Sequence, residues 1–333
     1  MRGFADRRLS SSYPPSLHEH RLASRETILK KVKSILKESL RNYRNDLKNR
    51  TFLHSKNFKT EYVINSYSGL ANIIHNMINE SIRYTVNSII PHILNLLRQG
   101  NYNLYVKTCM KTINFKINAD RCILRIGYFD GNIIMDIHFK NLKTIKIKSE
   151  ISAKPCNYEA FIGFLLSDGA IKGKNIRMRT TKHWQAVLWI LINSPNVFSL
   201  RVDSVTVSTK GELRPALNIS SPRIFEVTTK SLLLLNNPIS WFFYILGDGS
   251  VGYRKIEISC SLNYFEKLAN KLKALGYKPK LRPEKRLIVL TGNSMRKFSE
   301  WIVANVIKCG LNEPLEHLKV SKWLEMKHYA MMR

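Results

Sequence analysis

Two aspartates 80 positions apart, Asp168 and Asp248, stand in matching surroundings. Each closes an unbroken apolar run, follows a small residue (Ser167 or Gly247) and precedes a glycine (Gly169 or Gly249). An element that is apolar all round is one that buries every face, so a carboxylate at its end calls for a positive partner. If the two runs are helices packed side by side, their ends coincide and the two carboxylates meet. Such a pair repels itself and also faces the unfavourable end of each helix dipole. A divalent cation relieves both, and an oxygen donor set favours Mg²⁺, with Mn²⁺ as a substitute. With phosphate oxygens completing the coordination, a metal in that position activates water and stabilises a leaving oxygen.

The elements that must position these residues repeat. YEAFIGFLLSDGAI, 158–171, and PISWFFYILGDGSV, 238–251, align without a gap. Gly163 and Ser167 make a shallow face on the first run, as Gly247 does on the second, and small residues let two backbones approach. Phe243 stands where the first copy has Gly163, so the contact must be asymmetric. Gly169 and Gly249 suit the left-handed residue that closes a helix. The sequels match too. After Gly249 come strands around GYRKIEISC, a helix at LNYFEKLANKLKALGY, strands at KPKLRPEKRLIVL and a helix at NSMRKFSEWIVAN. After Gly169 come IKGKNIRMRT, a helix at KHWQAVLWILIN, strands at VFSLRVDSVTVS and LRPALNIS, and a helix expected around 221–235. Each copy reads αββαββα over about 80 residues, a repeat that one isolated Asp-Gly would not reveal. Asp130-Gly131, between CILRIGYF and NIIMDIHF, marks only a hairpin turn.

With these residues the chain resembles the LAGLIDADG homing endonucleases in their single-chain, two-motif form, over roughly its C-terminal half. The resemblance implies one metal-ligating, catalytic aspartate per motif, Asp168 and Asp248, with Gly169 and Gly249 in the metal site. It implies hydrolysis of both DNA strands to leave 3′ overhangs. Leu166 and Leu246 fill the earlier acidic position, a variation that does not touch the metal ligands.

Charge agrees with a polyanionic partner. Lys and Arg total 54 against 24 acidic residues, a net +30. The excess is even, 26 basic against 11 acidic residues in 1–150 and 28 against 13 in 151–333, so each part carries +15. A self-repelling surface of this kind fits nucleic acid first, with an anionic membrane surface as the competitor. The apolar runs fall far short of a bilayer span. In the strands, period-2 alternation puts Asn175, Arg177 and Arg179 on one face, with Arg214, Asn218 and Ser220 doing the same later in that copy. Lys255, Glu257 and Ser259 alternate likewise, and Lys278, Lys280 and Arg282 line the next strand. Such faces read the major groove or are merely solvated. Lys172, Lys174 and Arg254 lie nearest the aspartates and are expected on phosphates.

Other chemistries find no support. The five cysteines lack C-x-x-C spacing, the nine histidines show no His-Asn-His cluster, and no Gly-rich phosphate loop is present. The expected architecture is α+β. Residues 1–24 form a disordered basic leader, with organellar targeting the alternative, and 25–150 a helical and hairpin extension of unknown role. The first repeat spans 151–236, the second 237–310, and a C-terminal helix packing through Leu315, Leu318 and Leu324 spans 311–333. The two repeats pack pseudo-symmetrically through their motif helices, and curved antiparallel sheets form a DNA-binding saddle. The expected protein is an intracellular monomer of a prokaryotic cytoplasm, or of an organellar matrix, acting on double-stranded DNA. An intron RNA maturase and a DNA-binding protein without cleavage are the alternatives.

Overall fold

A computed structural model describes residues 25–43, 61–100, 102–109, 112–129, 132–140, 144–227 and 234–332. The basic leader and the Asp130-Gly131 turn lie outside the described residues. The fold mixes helices with largely antiparallel sheets. After α1 (Arg25–Asn42) comes β1 (Glu61–Ile64) and then α2 (Tyr67–Tyr84), which runs through one π-helical turn, Thr85–Ile89, into α3 (Ile90–Gln99). Pro91 falls in the first turn of α3 and does not end the helical run. Proline removes one helical N–H and crowds the preceding turn, and the wide π turn directly before it makes the room.

Two hairpins follow, β2 (Asn103–Cys109) with β3 (Thr112–Asn118), and β4 (Cys122–Phe129) with β5 (Asn132–Phe139). Residues 145–157, between the hairpins and the first motif copy, begin with β6 (Ile145–Ser149), parallel to β1 and antiparallel to a later strand. The first motif copy then gives α4 (Asn157–Ser167), β7 (Gly169–Lys172), β8 (Asn175–Thr180), α5 (His183–Ile192), β9 (Asn196–Val207) and β10 (Leu213–Pro222). Part of the helix expected around 221–235 is replaced by the end of β10. Residues 223–227 are not helical, and 228–233 lie outside the described residues. The second copy gives α6 (Pro238–Asp248), β11 (Gly249–Gly252), β12 (Lys255–Ser259), α7 (Leu262–Ala274), β13 (Lys280–Arg282), β14 (Leu287–Thr291) and α8 (Gly292–Lys308).

The single expected C-terminal helix is two, α9 (Asn312–His317) and α10 (Ser321–Met331), separated by Lys319 in the left-handed region. Leu315 and Leu318 are buried as expected, but Leu324 is exposed. Trp323, Met326 and Tyr329 carry the buried face instead. The break at Lys319 resets the helical phase, which a single helix drawn through both segments gets wrong.

Among the described residues ten strands form one sheet in the order β2-β3-β4-β5-β9-β10-β8-β7, with β6 on the other half of β9 and β1 beside β6. The long strand β9 is shared. Its N-terminal half pairs with β6 and its C-terminal half with β5, and a register shift against β10 falls between the two at Ala216/Leu217. Such irregularities bend a strand. The cores divide in the same way. α1 and α3 cover Phe115, Leu124, Ile126, Met135 and Ile137 together with Val205, Val207 and Leu213 from β9 and β10. A larger core gathers around α4, α5, α6 and α8. No break in the sheet marks position 150, because β5 and β6 are both built onto β9. The second sheet is small, β11-β12-β14-β13.

Candidate functional site

The site is built by α4 and α6, which lie against each other. Both runs are buried throughout, from Ala160 to Leu165 and from Ile239 to Leu246. α6 starts with a capping box, in which Asn237 Oδ1 accepts from Ser240 N at 2.9 Å and the Ser240 hydroxyl reaches back to residue 237. The close approach runs through glycine. A Cβ on Gly163 would overlap the Ser240 carbonyl oxygen and come within 2.6 Å of the Phe243 Cβ. One on Gly247 would overlap Ser167 and lie 2.7 Å from Asp168 Oδ2. Gly163 therefore makes room for Phe243, whose ring meets Phe164 edge-on with centroids 4.8 Å apart. The asymmetry read from the sequence has this form.

Gly169 and Gly249 are glycines for a different reason from the one expected. Neither is left-handed, and Gly249 is extended at φ −123° and ψ 178°. Each helix passes straight into a strand, where Gly169 pairs with Met178 and Gly249 with Ile258. A Cβ on Gly169 would sit 2.8 Å from Leu165 Cα, and one on Gly249 2.9 Å from the Glu257 carbonyl oxygen. Close backbone approach, rather than helix closure, selects glycine at both.

The two aspartates have different supports. Asp168 is exposed, and its Oδ2 accepts a hydrogen bond from Gln185 Nε2. Gln185 is buried on α5, and its Oε1 accepts from Thr180 Oγ1 at 2.5 Å. A buried amide satisfied at both ends is a stiff support for a carboxylate. Asp248 is half-buried, beside a depression lined by Leu166, Tyr244, Tyr264, Lys285 and Arg286. Tyr244 donates to the Ser259 carbonyl at 2.8 Å, and burial, then Asp248, holds its phenol proton above the ordinary range.

A cation that the sequence reading passed over sits at the end of α6 and feels both carboxylates. Lys322, on α10, donates through Nζ to the carbonyls of Ile245 at 2.9 Å and Leu246 at 2.7 Å. These are carbonyls at the C-terminal end of α6, which a positive charge favours. Burial pushes the Lys322 ammonium down to about 8. Lys182 acts in the same direction, and Asp168 and Asp248 act against it. The acidic pair thus has a resident positive neighbour, which the repulsion argument from sequence had assigned wholly to a metal.

Two carboxylates are hard oxygen donors, and Mg²⁺ is commonly held by one or two of them, with waters and substrate phosphates supplying the rest. Among the described residues no cluster of three or more His, Cys, Asp or Glu side chains could hold a metal. The donor set fits a hard cation that keeps its waters, and it does not fit a closed zinc cage.

The expected nucleic-acid residues divide between the two sheets. Asn175, Arg177 and Arg179 alternate with buried Ile176 and Met178, and register places Arg179 opposite Asn218 and Arg177 opposite Ser220. Arg179 is tied to Asp203 at 3.3 Å and to Ser204 at 2.6 Å, and Arg214 to Glu212 at 2.8 Å. Lys172 and Lys174 are exposed. On the small sheet Lys255 bonds Glu257 at 2.8 Å, and Lys280 and Arg282 are exposed on β13, whereas Lys278 precedes that strand. Arg254 takes φ 56° in the turn before β12, with its guanidinium 4.9 Å from the Tyr253 ring centroid.

No protein-family model matches this chain, and no curated protein matches it. Among solved structures, the crystal structure of the N-terminal LAGLIDADG domain of DUF199/WhiA is similar over 44% of this chain and 80% of that one. The identity is 15% and the TM-score 0.29, a likeness too loose to build on.

Proposed function

We propose that the chain is a site-specific endonuclease of the LAGLIDADG homing type, hydrolysing both strands of double-stranded DNA with a divalent cation. The two motif copies would then be pseudo-symmetric halves of one enzyme. The observation that carries the reading is the meeting of Asp168 and the end of α6 at one glycine-lined helix contact, with Lys322 interacting with both aspartates. Asp168 and Asp248 would hold the cation, Mg²⁺ or Mn²⁺. When bound, the cation supplies Lewis acidity toward water and the leaving 3′ oxygen. The chain's own residues do the rest. Gln185 fixes the Asp168 carboxylate, Lys322 holds the end of α6 and offsets charge, and the outer faces of the two sheets take up the DNA backbone and base edges.

A second reading, a nucleic-acid-binding protein without cleavage, gains from Lys322. A resident ammonium lets an acidic pair persist with no metal at all. The RNA maturase remains a variant of that reading. One selection separates them. The purified chain is incubated with a randomised duplex library and Mg²⁺, and ends are sequenced. The endonuclease reading expects double-strand breaks at one recurring sequence, abolished by chelation. Retention of DNA without breaks in Mg²⁺ or Mn²⁺ would replace it with the second reading. No described helix is long and apolar enough to cross a membrane.

A further inference from the structure

The extension of β2 to β5 has no role in the site, yet it is built onto the sheet that carries Arg177 and Arg179. In antiparallel pairing, residues directly opposite each other share a face. Followed strand by strand, the register runs Tyr105, Lys116, Arg125, Asp136, Thr206 and Arg214, all on one face. That face continues through β9 and β10 to Arg201, Asn218 and Arg179. The opposite face is the packed one, with Phe115, Ile126, Met135 and Val205 under α1 and α3. The outer face of the extension and the proposed DNA face of the first copy are therefore one surface, bent at the Ala216/Leu217 irregularity.

We infer that the outer face of β2 to β5 binds the sugar-phosphate backbone of duplex DNA flanking the cleaved site, on the side of the first copy only. The inference rests on the reading of this chain as a DNA-binding protein. Charge complementarity supports it. Six cations, Lys116, Arg125, Arg177, Arg179, Arg201 and Arg214, stand on the continuous face. Three acids stand against them: Asp203 is held by Arg179 and Asn218, Glu212 by Arg214 at 2.8 Å, and Asp136 accepts from Thr206 at 2.6 Å. Around Lys116 and Arg125 lies a shallow open depression with Asn114, Gly127 and exposed Tyr105 and Ile134. Lys116 Nζ lies 5.8 Å from the Tyr105 ring centroid. The depression is largely apolar, with Val106 and Asp136 also in its lining, and Lys116 and Arg125 are the groups in it that suit phosphates.

One-sidedness follows from the second sheet, which among the described residues has four strands with β13 at its edge. The four strands β2 to β5, spaced ~4.8 Å apart, add about 19 Å of face, the length of roughly six base pairs at about 3.4 Å each.

The test uses the full chain and a long mixed-sequence duplex, with binding followed by fluorescence anisotropy from about 50 to 200 mM salt. A double variant, Lys116→Glu with Arg125→Glu, is compared with Lys30→Glu with Lys31→Glu on exposed positions of α1. Circular dichroism checks that both remain folded. The sheet variant should bind at least about tenfold more weakly at low salt. Its salt slope should be shallower by about two, since each lost phosphate contact removes about 0.9. The α1 variant should match the parent. A sheet variant within twofold of the parent overturns the inference and leaves the DNA-binding reading intact, as does an equal loss in the α1 variant. A parent that ignores duplex DNA overturns both. A parent that prefers structured RNA, with Lys116 and Arg125 carrying that preference, overturns the duplex assignment.

Discussion

Helices α4 and α6 carry the same motif and hold their aspartates by different means. Asp168 is held sideways, by a buried glutamine anchored on Thr180. The Asp248 end is held from behind, by a lysine from the last helix that grips two carbonyls of α6. The contact between the helices is uneven as well, glycine at 163 against phenylalanine at 243. Duplicated motifs fix the backbone path, and each copy then finds its own support from whatever element lies beside it. Near-symmetry in sequence thus produces an asymmetric site.

The largest effects should come from the contact itself. Phe243→Ala removes a fully buried ring and should cost about 3–5 kcal/mol. Gly163→Ala forces a Cβ into the backbone of α6 and should cost about 3 kcal/mol. Gly252→Ala, where a Cβ meets nothing within 4 Å, should be nearly neutral. Urea unfolding of the three variants ranks them, and a silent Gly163→Ala would mean the helices do not pack as described.

Next in size is the sideways support. Gln185→Leu keeps the volume but strips Asp168 and Thr180 of their partner, a loss of about 1–3 kcal/mol. Thermal unfolding reads the stability change. Gln185→Glu would place a third carboxylate at the pair and should be the worse substitution for DNA affinity, whereas equal affinities would detach Gln185 from the site.

Lys322 gives the most conditional effect, absent below about pH 8 and visible only as the pH rises. Below about 8 it is charged in both states, and its burial cost is constant. From about 8 to its ordinary value of 10.5 the unfolded chain keeps the proton and the folded chain sheds it, so stability due to Lys322 rises with pH. Lys322→Met lacks that rise. Wild-type stability minus variant stability should grow by up to about 3 kcal/mol across the window. A difference flat in pH would remove Lys322 from its buried position.

Legibility in the sequence followed locality. The hairpin of β4 and β5 was readable to within a residue, because alternation and an Asp-Gly turn are local signals. The motif helices were readable because the second copy vouched for the first. β1 and β6 were not, being four and five residues long and paired with strands far away in sequence. Gln185 sits inside an apolar helix with nothing to mark its partner. Lys322 is one of 54 basic residues, 74 positions beyond Asp248, and only the fold brings it under α6. Tertiary hydrogen bonds leave no periodicity behind, so these two residues had no signal to read.

The central claim is that the two aspartates, held so differently, serve one cleavage site. Asp168→Asn and Asp248→Asn are each tested on supercoiled plasmid carrying the selected target, with duplex binding measured in parallel. The account predicts that neither variant linearises the plasmid in Mg²⁺ while both bind within a fewfold of the parent. Linear product from either variant alone would contradict it.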